Sequence, residues 1–420
     1  MRFTSVAEWL RWQETLNPRG IDLGLDRCRP VWKALALEPA PFPVINVAGT
    51  NGKGSCVTML ECILVRAGYR VGCYTSPHLR NFNETVRIGQ QAICDADLMM
   101  AFQRVDDARG DIALTWFEYR TLAAACWFAA SNVDVAVMEV GLGGRLDAVN
   151  LFDAEVAVIT SIGVDHRDWL GDSRDQIARE KAGICRAGRP AVCGDPDPPP
   201  GLGAAAADIG ARLYVAGRDF RHALSGDGWR WTGPNGEISL LPLPGIPGVR
   251  QFGNAAAALM ALDLLRSRFP VDSKSIAEGL AACRLPGRLE RLEGEPEILL
   301  DVAHNPDAAS ALAEALQSGP PAVRCVAVFA VYADKDIDGI VRALGSSIDA
   351  WYVAPLPAPR GATGEAVAST LASARIHVPV YVHDSVANAA AAARSDAGSG
   401  GRVVVFGSFE TVRQALALVT

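Results

Sequence analysis

The sequence predicts an α/β fold built from two parallel-sheet domains. Short apolar segments rich in β-branched residues alternate with helix-length stretches, as in VINVA, DVAVMEV and EVAVIT. Strands that are apolar on both faces and separated by helices are typical of a parallel sheet covered by helices on both sides. The alternation pauses around LPGRLERLEGEPE and restarts at EILLDVA, which indicates a second domain.

The length supports this division, because 420 residues exceed one ordinary domain. We place the boundary near residues 285–296 and divide the chain into domains 1–288 and 289–420. Within the first, WRWTGPNGEISLLPL predicts a β-hairpin around its Pro-Asn-Gly turn. The segment GNAAAALMALDLLRSRF predicts a helix, since its apolar residues recur every three to four positions.

Composition argues against several classes of protein. Half of the residues are hydrophobic, and the formal net charge of -7 disfavours a nucleic-acid partner. The amino-terminal segment lacks the features of a signal peptide, and no run of about 18 uncharged apolar residues indicates a membrane span. We therefore expect a cytoplasmic protein without a membrane partner. The cysteines form no Cys-x-x-Cys pair, so we expect buried thiols rather than disulfides or zinc ligands.

A glycine-rich turn between a strand and a helix, VINVAGTNGKGS, predicts a phosphate site. Its backbone N–H groups and the start of the helix attract anions. Lys53 would reach the β and γ phosphates, and the Ser55 hydroxyl would take a Mg²⁺ position. The motif departs from G-x-x-x-x-G-K-[ST], because Gly54 intervenes and Val47 stands in place of the first glycine. The alternative is a glycine-rich connection with a solvated lysine.

Carboxylates and a histidine follow two other predicted strands. Glu139 ends DVAVMEV, and Asp165 and His166 follow EVAVIT. Ligands of open α/β sheets bind beyond the carboxyl ends of the strands, so we expect Glu139 and His166 to converge with the phosphate loop. Oxygen ligands with one imidazole suit Mg²⁺ or Mn²⁺. Lys181 does not fit this scheme as an ammonium, since it would repel the metal; a phosphate contact or a solvated helix residue is the alternative.

A series of motifs stands in one order along the chain: GTNGKGS, TSPHL, FNETVRI, FEYRTLAA, MEVGLGGRLDAVN, TSIGVDHRDWLG, REKAGI, LPGRLE, DVAHNP, ADKD, PRGAT and GSFETV. Together they closely resemble the bacterial bifunctional dihydrofolate synthase/folylpolyglutamate synthases, which belong with the Mur ligases. The match runs from about residue 20 to the end. The resemblance implies a P-loop parallel-sheet ATPase domain followed by a smaller Rossmann-like α/β domain. It also implies an ATP-dependent ligase that adds L-glutamate to dihydropteroate and to reduced folates.

The resemblance further implies residue roles. The loop residues that would hold the ATP phosphates are Gly49, Thr50, Asn51, Gly52, Lys53, Gly54 and Ser55, and further ATP contacts are implied at Asn254, Arg288 and Asp301. The residues that would contact the pterin substrate are Asp22, Leu23, Gly24, Thr115, Phe117 and Asp147. Two Mg²⁺ ions are implied, one held by Ser76 and Glu139, the other by His166 and a carbamylated Lys181. Carbamylation turns the repelled ammonium into an anionic ligand. The catalytic set implied is Lys53, Lys181 and His304.

Two motifs depart from the family pattern, and several residues have alternative interpretations. FNETV has Thr85 where the family pattern suggests arginine, and GRLDAVN has Val149 where threonine is commoner. Asn305 and Pro306 also fit a helix amino terminus, and Asp26 with Arg27 fits a solvated ion pair. The rival functions are a Mur-type ligase acting on a UDP-sugar, folylpolyglutamate synthase activity only, a P-loop GTPase or kinase, and a silent relative. We expect a monomer acting on small molecules.

Overall fold

The computed structural model describes residues 1–226 and 228–417. Contacts divide the chain into two compact units. The first comprises Met1–Gly245 and Gln251–Arg284, and the second comprises Ile246–Arg250 and the chain from Leu285 onward. The boundary that we predict at residue 288 lies close to the break after Arg284. The assignment of separate functions to domains 1–288 and 289–420 stays a prediction.

The first unit is built on a mainly parallel sheet in the order β4-β3-β2-β5-β1-β6-β7-β8. From β2 to β8 all neighbours are parallel, whereas β3 and β4 add an antiparallel edge. The strands of this unit are β1 (Val44–Ala48), β2 (Val71–Tyr74), β3 (Val86–Ile88), β4 (Gln91–Ala92), β5 (Val135–Glu139), β6 (Val156–Ile159), β7 (Pro190–Cys193), β8 (Arg212–Val215), β9 (Arg221–Ser225), β10 (Gly228–Gly233) and β11 (Gly236–Leu241).

Helices pack against this sheet and enclose its core. They are α1 (Val6–Leu16), α2 (Cys28–Ala34), α3 (Lys53–Arg66), α4 (Asp95–Arg109), α5 (Trp116–Ala130), α6 (Arg167–Leu170), α7 (Arg174–Ala182), α8 (Pro200–Ile209), α9 (Arg250–Leu264) and α10 (Ser273–Ala282). Strands β1, β2 and β5 are fully buried, in keeping with their apolar sequences. Helix α1 begins with a capping box between Ser5 and Glu8, which stabilises its first turn.

The predicted hairpin is confirmed. Strands β10 and β11 are antiparallel, with Gly233 opposite Gly236, so the Pro-Asn dipeptide forms the turn. Strand β9 extends the hairpin into a separate antiparallel sheet. The sheet is anchored by Trp231, which is buried and donates from Nε1 to the Ala256 carbonyl at 3.1 Å. The hairpin therefore attaches to α9, the helix predicted from the periodicity of that segment.

The second unit has its own sheet, in the order β12-β13-β17-β14-β15-β16, antiparallel only at β12. Its core includes stacked Phe329 and Phe406, with ring centroids 4.8 Å apart, and Trp351 against both. Its strands are β12 (Glu290–Leu292), β13 (Glu297–Leu300), β14 (Cys325–Phe329), β15 (Ala350–Val353), β16 (Val380–Val382) and β17 (Arg402–Phe406). Its helices are α11 (Pro306–Ser318), α12 (Ile337–Leu344), α13 (Gly364–Ser373), α14 (Val386–Ala397) and α15 (Phe409–Leu416).

All cysteines are free thiols, as predicted, and apart from exposed Cys94 and half-buried Cys325 they are buried. Within residues 1–226 and 228–417, no helix is both long enough and apolar enough to cross a bilayer.

Candidate active site

Four parallel strands in the middle of the first sheet end at one edge and release the loops of the site. Strands β2, β5, β1 and β6 are consecutive neighbours. Glu139, at the end of β5, lies opposite Val47 of β1, and the Thr160 amide donates to the Ala48 carbonyl at 2.9 Å. The phosphate loop, the Ser76 loop, Glu139 and the segment leading to His166 therefore leave the sheet at the same edge.

The phosphate loop follows β1 and is closely packed by neighbouring side chains. Gly49 has φ 153°, and a Cβ there would lie 1.9 Å from the Thr160 hydroxyl. Gly52 has φ 85°, and a Cβ there would lie 2.4 Å from Oδ1 of Asn254. Both positions require glycine, since a side chain would be strained and would clash. Asn254 of α9, predicted as an ATP contact, thus lies directly against the loop.

The segment after β6 braces the phosphate loop. The Thr50 amide donates to the Ser161 carbonyl at 2.8 Å, and the Thr50 hydroxyl donates to the Gly163 carbonyl at 3.0 Å. The Asn51 amide donates to the Ser161 hydroxyl at 3.0 Å, and the Thr160 hydroxyl donates to the Asn51 carbonyl at 2.6 Å. None of the sequence motifs predicts this brace. The two successive hydroxyl residues at the end of a strand were the available signal.

Lys53 is the first residue of α3, and its ammonium folds over the loop. Nζ donates to the carbonyls of Gly49 at 2.9 Å and Thr50 at 3.1 Å. Positive charge, a helix amino terminus and backbone amides therefore concentrate in one turn, which is the composition of an anion site. Ser55, in the first turn of α3, is buried.

Glu139 and Ser76 are in contact at this edge. The Ser76 amide donates to Oε2 of Glu139 at 3.3 Å, and Glu139 is 5% exposed. His166 precedes the short helix α6 with φ 53°, and its amide donates to Asp165 at 2.8 Å. A serine hydroxyl, a carboxylate and an imidazole are donors that Mg²⁺ or Mn²⁺ accepts when phosphate oxygens complete the shell, so these residues fit a nucleotide-bound divalent ion.

In the part of the chain that the structure describes, protein side chains alone do not form a metal cage. Among the residues that the structure describes, no three histidine, cysteine, aspartate or glutamate side chains gather as they would around an ion. The implied metal set contains two such side chains, Glu139 and His166. The rest of the shell would come from hydroxyl, phosphate and carbamate oxygens.

Lys181 is buried in α7, 3% exposed. Its pKa is lowered to about 7, chiefly by burial and also by the Lys53 charge, against the opposing effect of the Asp165 and Asp147 charges. The backbone at Lys181 is packed against the loop after β5, since a Cβ on Gly144 would lie 3.0 Å from the Lys181 Cα. At neutral pH a buried lysine with a pKa of about 7 is neutral, and therefore nucleophilic, in a large share of the molecules.

The residues implied for the pterin gather around the loop after β5. Asp147 is 2% exposed, and its carboxyl accepts from the Leu142 amide at 2.8 Å and the Val149 amide at 2.9 Å. Burial raises the pKa of Asp147, which is about 7 once the opposing effects of these hydrogen bonds and of the Lys53 charge are included. The Gly24 amide donates to the Leu146 carbonyl at 3.0 Å, which joins the segment of Asp22, Leu23 and Gly24 to this loop.

Helix α5 supplies the other side of this cluster. Thr115 forms a capping box with Glu118, and a Cβ on Gly141 would lie 2.5 Å from the Phe117 ring. Glu118 also pairs with Arg27 at 2.9 Å, and Arg27 pairs with Asp22 at 2.8 Å. The solvated ion pair between Asp26 and Arg27 that we considered is wrong, because Arg27 turns inward to these two buried or half-buried carboxylates.

In the second unit, the site residues that the family resemblance implies lie together at the end of β13. The Asp301 carboxyl accepts from the amides of Leu289 at 2.9 Å and Ala303 at 2.8 Å. Burial raises the pKa of Asp301, and the charge of Arg288 opposes the shift. His304 Nδ1 donates to the Val302 carbonyl at 2.8 Å, which orients the ring.

Asn305 has the structural role that we considered for it. Its side chain caps α11 by accepting from the Ala308 amide at 2.9 Å, with Pro306 in the first turn.

Comparisons with known proteins identify the family of the chain. The family model of the Mur ligase middle domain matches residues 47–193, and that of the Mur ligase glutamate ligase domain matches residues 287–409. The Escherichia coli dihydrofolate synthase/folylpolyglutamate synthase is 43% identical over 99% of this chain and 95% of its own length.

Solved structures resemble the whole chain as well. E. coli FolC in complex with DHPP and ADP has a TM-score of 0.93 and 43% identity, covering 99% of this chain and 98% of that chain. A bifunctional folylpolyglutamate synthase/dihydrofolate synthase with Mn, AMPPNP and L-glutamate bound has a TM-score of 0.91 and 41% identity, with the same coverage. The chain therefore belongs to the Mur ligase family and, within it, to the dihydrofolate synthase/folylpolyglutamate synthases.

Proposed function

We propose that this chain is an ATP-dependent ligase that adds L-glutamate to dihydropteroate, giving dihydrofolate, and to reduced folates, giving γ-polyglutamates. The observation that carries the proposal is the phosphate loop, held between Thr160 and Asn254 at the same sheet edge as Glu139. A relative that is 43% identical over 99% of this chain carries the two activities in its name. We further propose a cytoplasmic location, in keeping with cysteines that are all free thiols.

The chemistry requires activation of an acid. A carboxylate does not acylate an amine at neutral pH, because its leaving group would be oxide. Transfer of the γ-phosphoryl group of ATP to the carboxylate gives an acyl phosphate and ADP. The glutamate amine then attacks the acyl carbon, loses a proton, and expels phosphate as the amide forms. The protein contributes position and charge rather than a covalent bond.

Lys53 and its loop bind the ATP phosphates. The ammonium exchanges its contacts with the Gly49 and Thr50 carbonyls for phosphate oxygens, while the braces from Thr160 and Ser161 keep the loop in shape. A loop held in its binding shape before the ligand arrives loses little conformational freedom on binding. Asn254, Arg288 and Asp301 are proposed as further ATP contacts, and His304 as an orienting group for glutamate.

We assign the metal to Ser76 and Glu139 at one position, and to His166 and carbamylated Lys181 at another. When bound, Mg²⁺ supplies positive charge next to the transferred phosphoryl group. The low pKa of Lys181 supports the carbamate, because a neutral amine adds CO₂ and releases one proton to give an anionic oxygen ligand. An aromatic face at Phe117 and the buried carboxyl of Asp147 are proposed to hold the pterin, together with Thr115 and the 22–24 segment.

The proposal is tested by measuring ADP release from purified protein with ATP, Mg²⁺ and glutamate. Dihydropteroate, tetrahydrofolate and a UDP-muramyl acid are compared as acceptors. We expect release with both pterin acids, none with the UDP acid, and none without glutamate. Release with tetrahydrofolate alone would reduce the function to folylpolyglutamate synthase, and release with the UDP acid would favour the Mur-type alternative. Lys53→Ala is expected to lower kcat by about two orders of magnitude.

A further inference from the structure

Arg87 is given no role in the proposed function. It lies at the centre of a buried polar cluster beside the site. It lies on β3, and its side chain is 18% exposed. Its guanidinium pairs with Glu61 at 2.7 Å and donates from Nη1 to the Thr75 hydroxyl at 3.0 Å and to the Glu84 carbonyl at 2.6 Å. It also contacts the Cys73 sulfur at 2.8 Å. Glu61 is 2% exposed, so this is an ion pair within the fold.

The partners of Arg87 belong to two functional segments. Glu61 lies on α3, the helix that begins with Lys53. Thr75 and Glu84 lie at the two ends of the loop that carries Ser76. The carboxyl of Glu84 also accepts from amides within this loop, those of Leu79, Arg80 and Asn81, so the loop is organised around residue 84. One guanidinium therefore connects the phosphate-loop helix to the loop of the proposed metal site.

The two segments depend on Arg87 to different degrees. The phosphate loop has its own braces from Thr160 and Ser161, which do not involve Arg87. The Ser76 loop is closed by a backbone hydrogen bond from the Thr75 amide to the Thr85 carbonyl at 2.9 Å, and the guanidinium is the side chain that bonds both of its ends. Removal of Arg87 should therefore shift Ser76 relative to Glu139 while leaving the loop around Lys53 in place.

We infer that Arg87 is a positioning residue for the metal site of Ser76 and Glu139, acting through Thr75 and Glu84. The inference rests on the proposed function, because it assumes a divalent ion at that site. Residues behind metal ligands typically change metal affinity by about 10- to 100-fold when they are removed. We expect a loss of that size in metal affinity, with nucleotide affinity in the absence of metal changed by less than about threefold.

The alternative is that the ion pair between Arg87 and Glu61 only stabilises the fold. Arg87→Met alone does not separate the two roles, because it leaves a buried carboxylate without its partner. The double variant Glu61→Met/Arg87→Met removes both charges, and paired replacement by apolar side chains is often tolerated. Arg87→Lys is a second test, since it keeps the charge but a single ammonium cannot bridge Glu61, Thr75 and Glu84 in the same geometry.

The experiment measures three quantities on the wild type and on both variants. These are the melting temperature, the Kd of AMPPNP without metal, and the Kd of Mn²⁺ in the presence of AMPPNP, read from the EPR signal of free Mn²⁺. The control is Arg402→Met, which removes another buried arginine, 4% exposed, paired with Glu297 at 2.5 Å in the second unit. We expect this control to lower the melting temperature without changing Mn²⁺ affinity.

A weaker Mn²⁺ affinity in the double variant and in Arg87→Lys, with AMPPNP affinity retained, supports the inference. The inference is overturned if a folded variant, either the double variant or Arg87→Lys, binds Mn²⁺ with an affinity within twofold of wild type. Failure of the wild type to bind Mn²⁺ with AMPPNP, or to release ADP with any acid, would instead contradict the proposed function. Normal wild-type binding and turnover with unaffected variants would contradict only the role of Arg87.

Discussion

Two buried ionisable groups, Asp147 and Lys181, have pKa values displaced in opposite directions to about 7. The cause is the same in both, because burial disfavours the charged form of either group. The sequence indicated both residues only through the family resemblance, which also implied a carbamate that removes the positive charge of Lys181. It could not give their burial, which arises only when the loop after β5 packs against α7.

At Asp147 we expect stability to depend on pH in a defined window. Its folded pKa lies above its ordinary value of 3.8, so the protonated form stabilises the fold at low pH. That contribution is lost as pH rises through about 7. Asp147→Asn keeps an oxygen acceptor and does not titrate. Between pH 4 and pH 7, urea unfolding should show wild type losing stability relative to Asp147→Asn by at most about 1.4 kcal/mol per pH unit. Parallel profiles would contradict this.

At Lys181 we expect a carbamate. In wild type incubated with ¹³C-bicarbonate near pH 8, NMR should show one slowly exchanging carbamate carbon. Lys181→Arg should lose that signal, because a guanidinium does not add CO₂. The variant should also lose the ligase activity while remaining folded. Lys274→Arg, on an exposed lysine of α10, serves as the control and should retain both. A fully active Lys181→Arg variant would rule out the carbamate.

At the scale of elements, the sequence predicted what depends on local pattern. The long apolar strands β1, β5 and β6 and the hairpin of β10 and β11 are where the alternation placed them. The short strands β3, β4 and β12 were missed, because two or three residues at a sheet edge carry no apolar run. The pairing of Glu61 with Arg87 was missed as well. A glutamate inside the apolar helix SCVTMLECILVRAG was its only local signal.

The loop between β1 and α3 gives a prediction at the same scale. Gly52→Ala should weaken AMPPNP binding by about tenfold or more, because the new Cβ would displace Asn254 and distort the loop. Gly68→Ala is the matched control, with φ 91° and no atom within 4 Å of the new Cβ. Because both glycines have positive φ, the two variants should lose similar amounts of stability. Calorimetric titration with AMPPNP should show a loss of affinity only for Gly52→Ala. Equal affinities would show that the contact with Asn254 is not needed.

At the scale of the whole molecule, the chain forms two units with separate sheets and separate buried clusters. The restart of the strand-helix alternation near residue 297 was enough to predict two. It gave no indication that residues 246–250 would join the second unit, because that assignment depends on tertiary contacts such as the one from Arg250 to Glu314 at 3.1 Å.

Separate cores predict separate local stabilities. Phe406→Ala removes a fully buried ring from the second unit and should destabilise it by about 3–5 kcal/mol. Hydrogen exchange followed by mass spectrometry should then show faster exchange in β14 and β17, with β1 and β5 unchanged. Phe128→Ala, an equally buried ring in the first unit, should give the reverse pattern. Faster exchange in both units from either variant would show that they unfold together.

Strands β3 and β4 have a consequence beyond the site. An open sheet edge exposes unpaired amides and carbonyls that can recruit a strand from another molecule and start fibril growth. Here that edge is β4, only two residues long and antiparallel to its neighbour. An edge strand of two residues offers few backbone groups to an incoming strand. The shortness of β4 therefore disfavours aggregation along that side of the sheet.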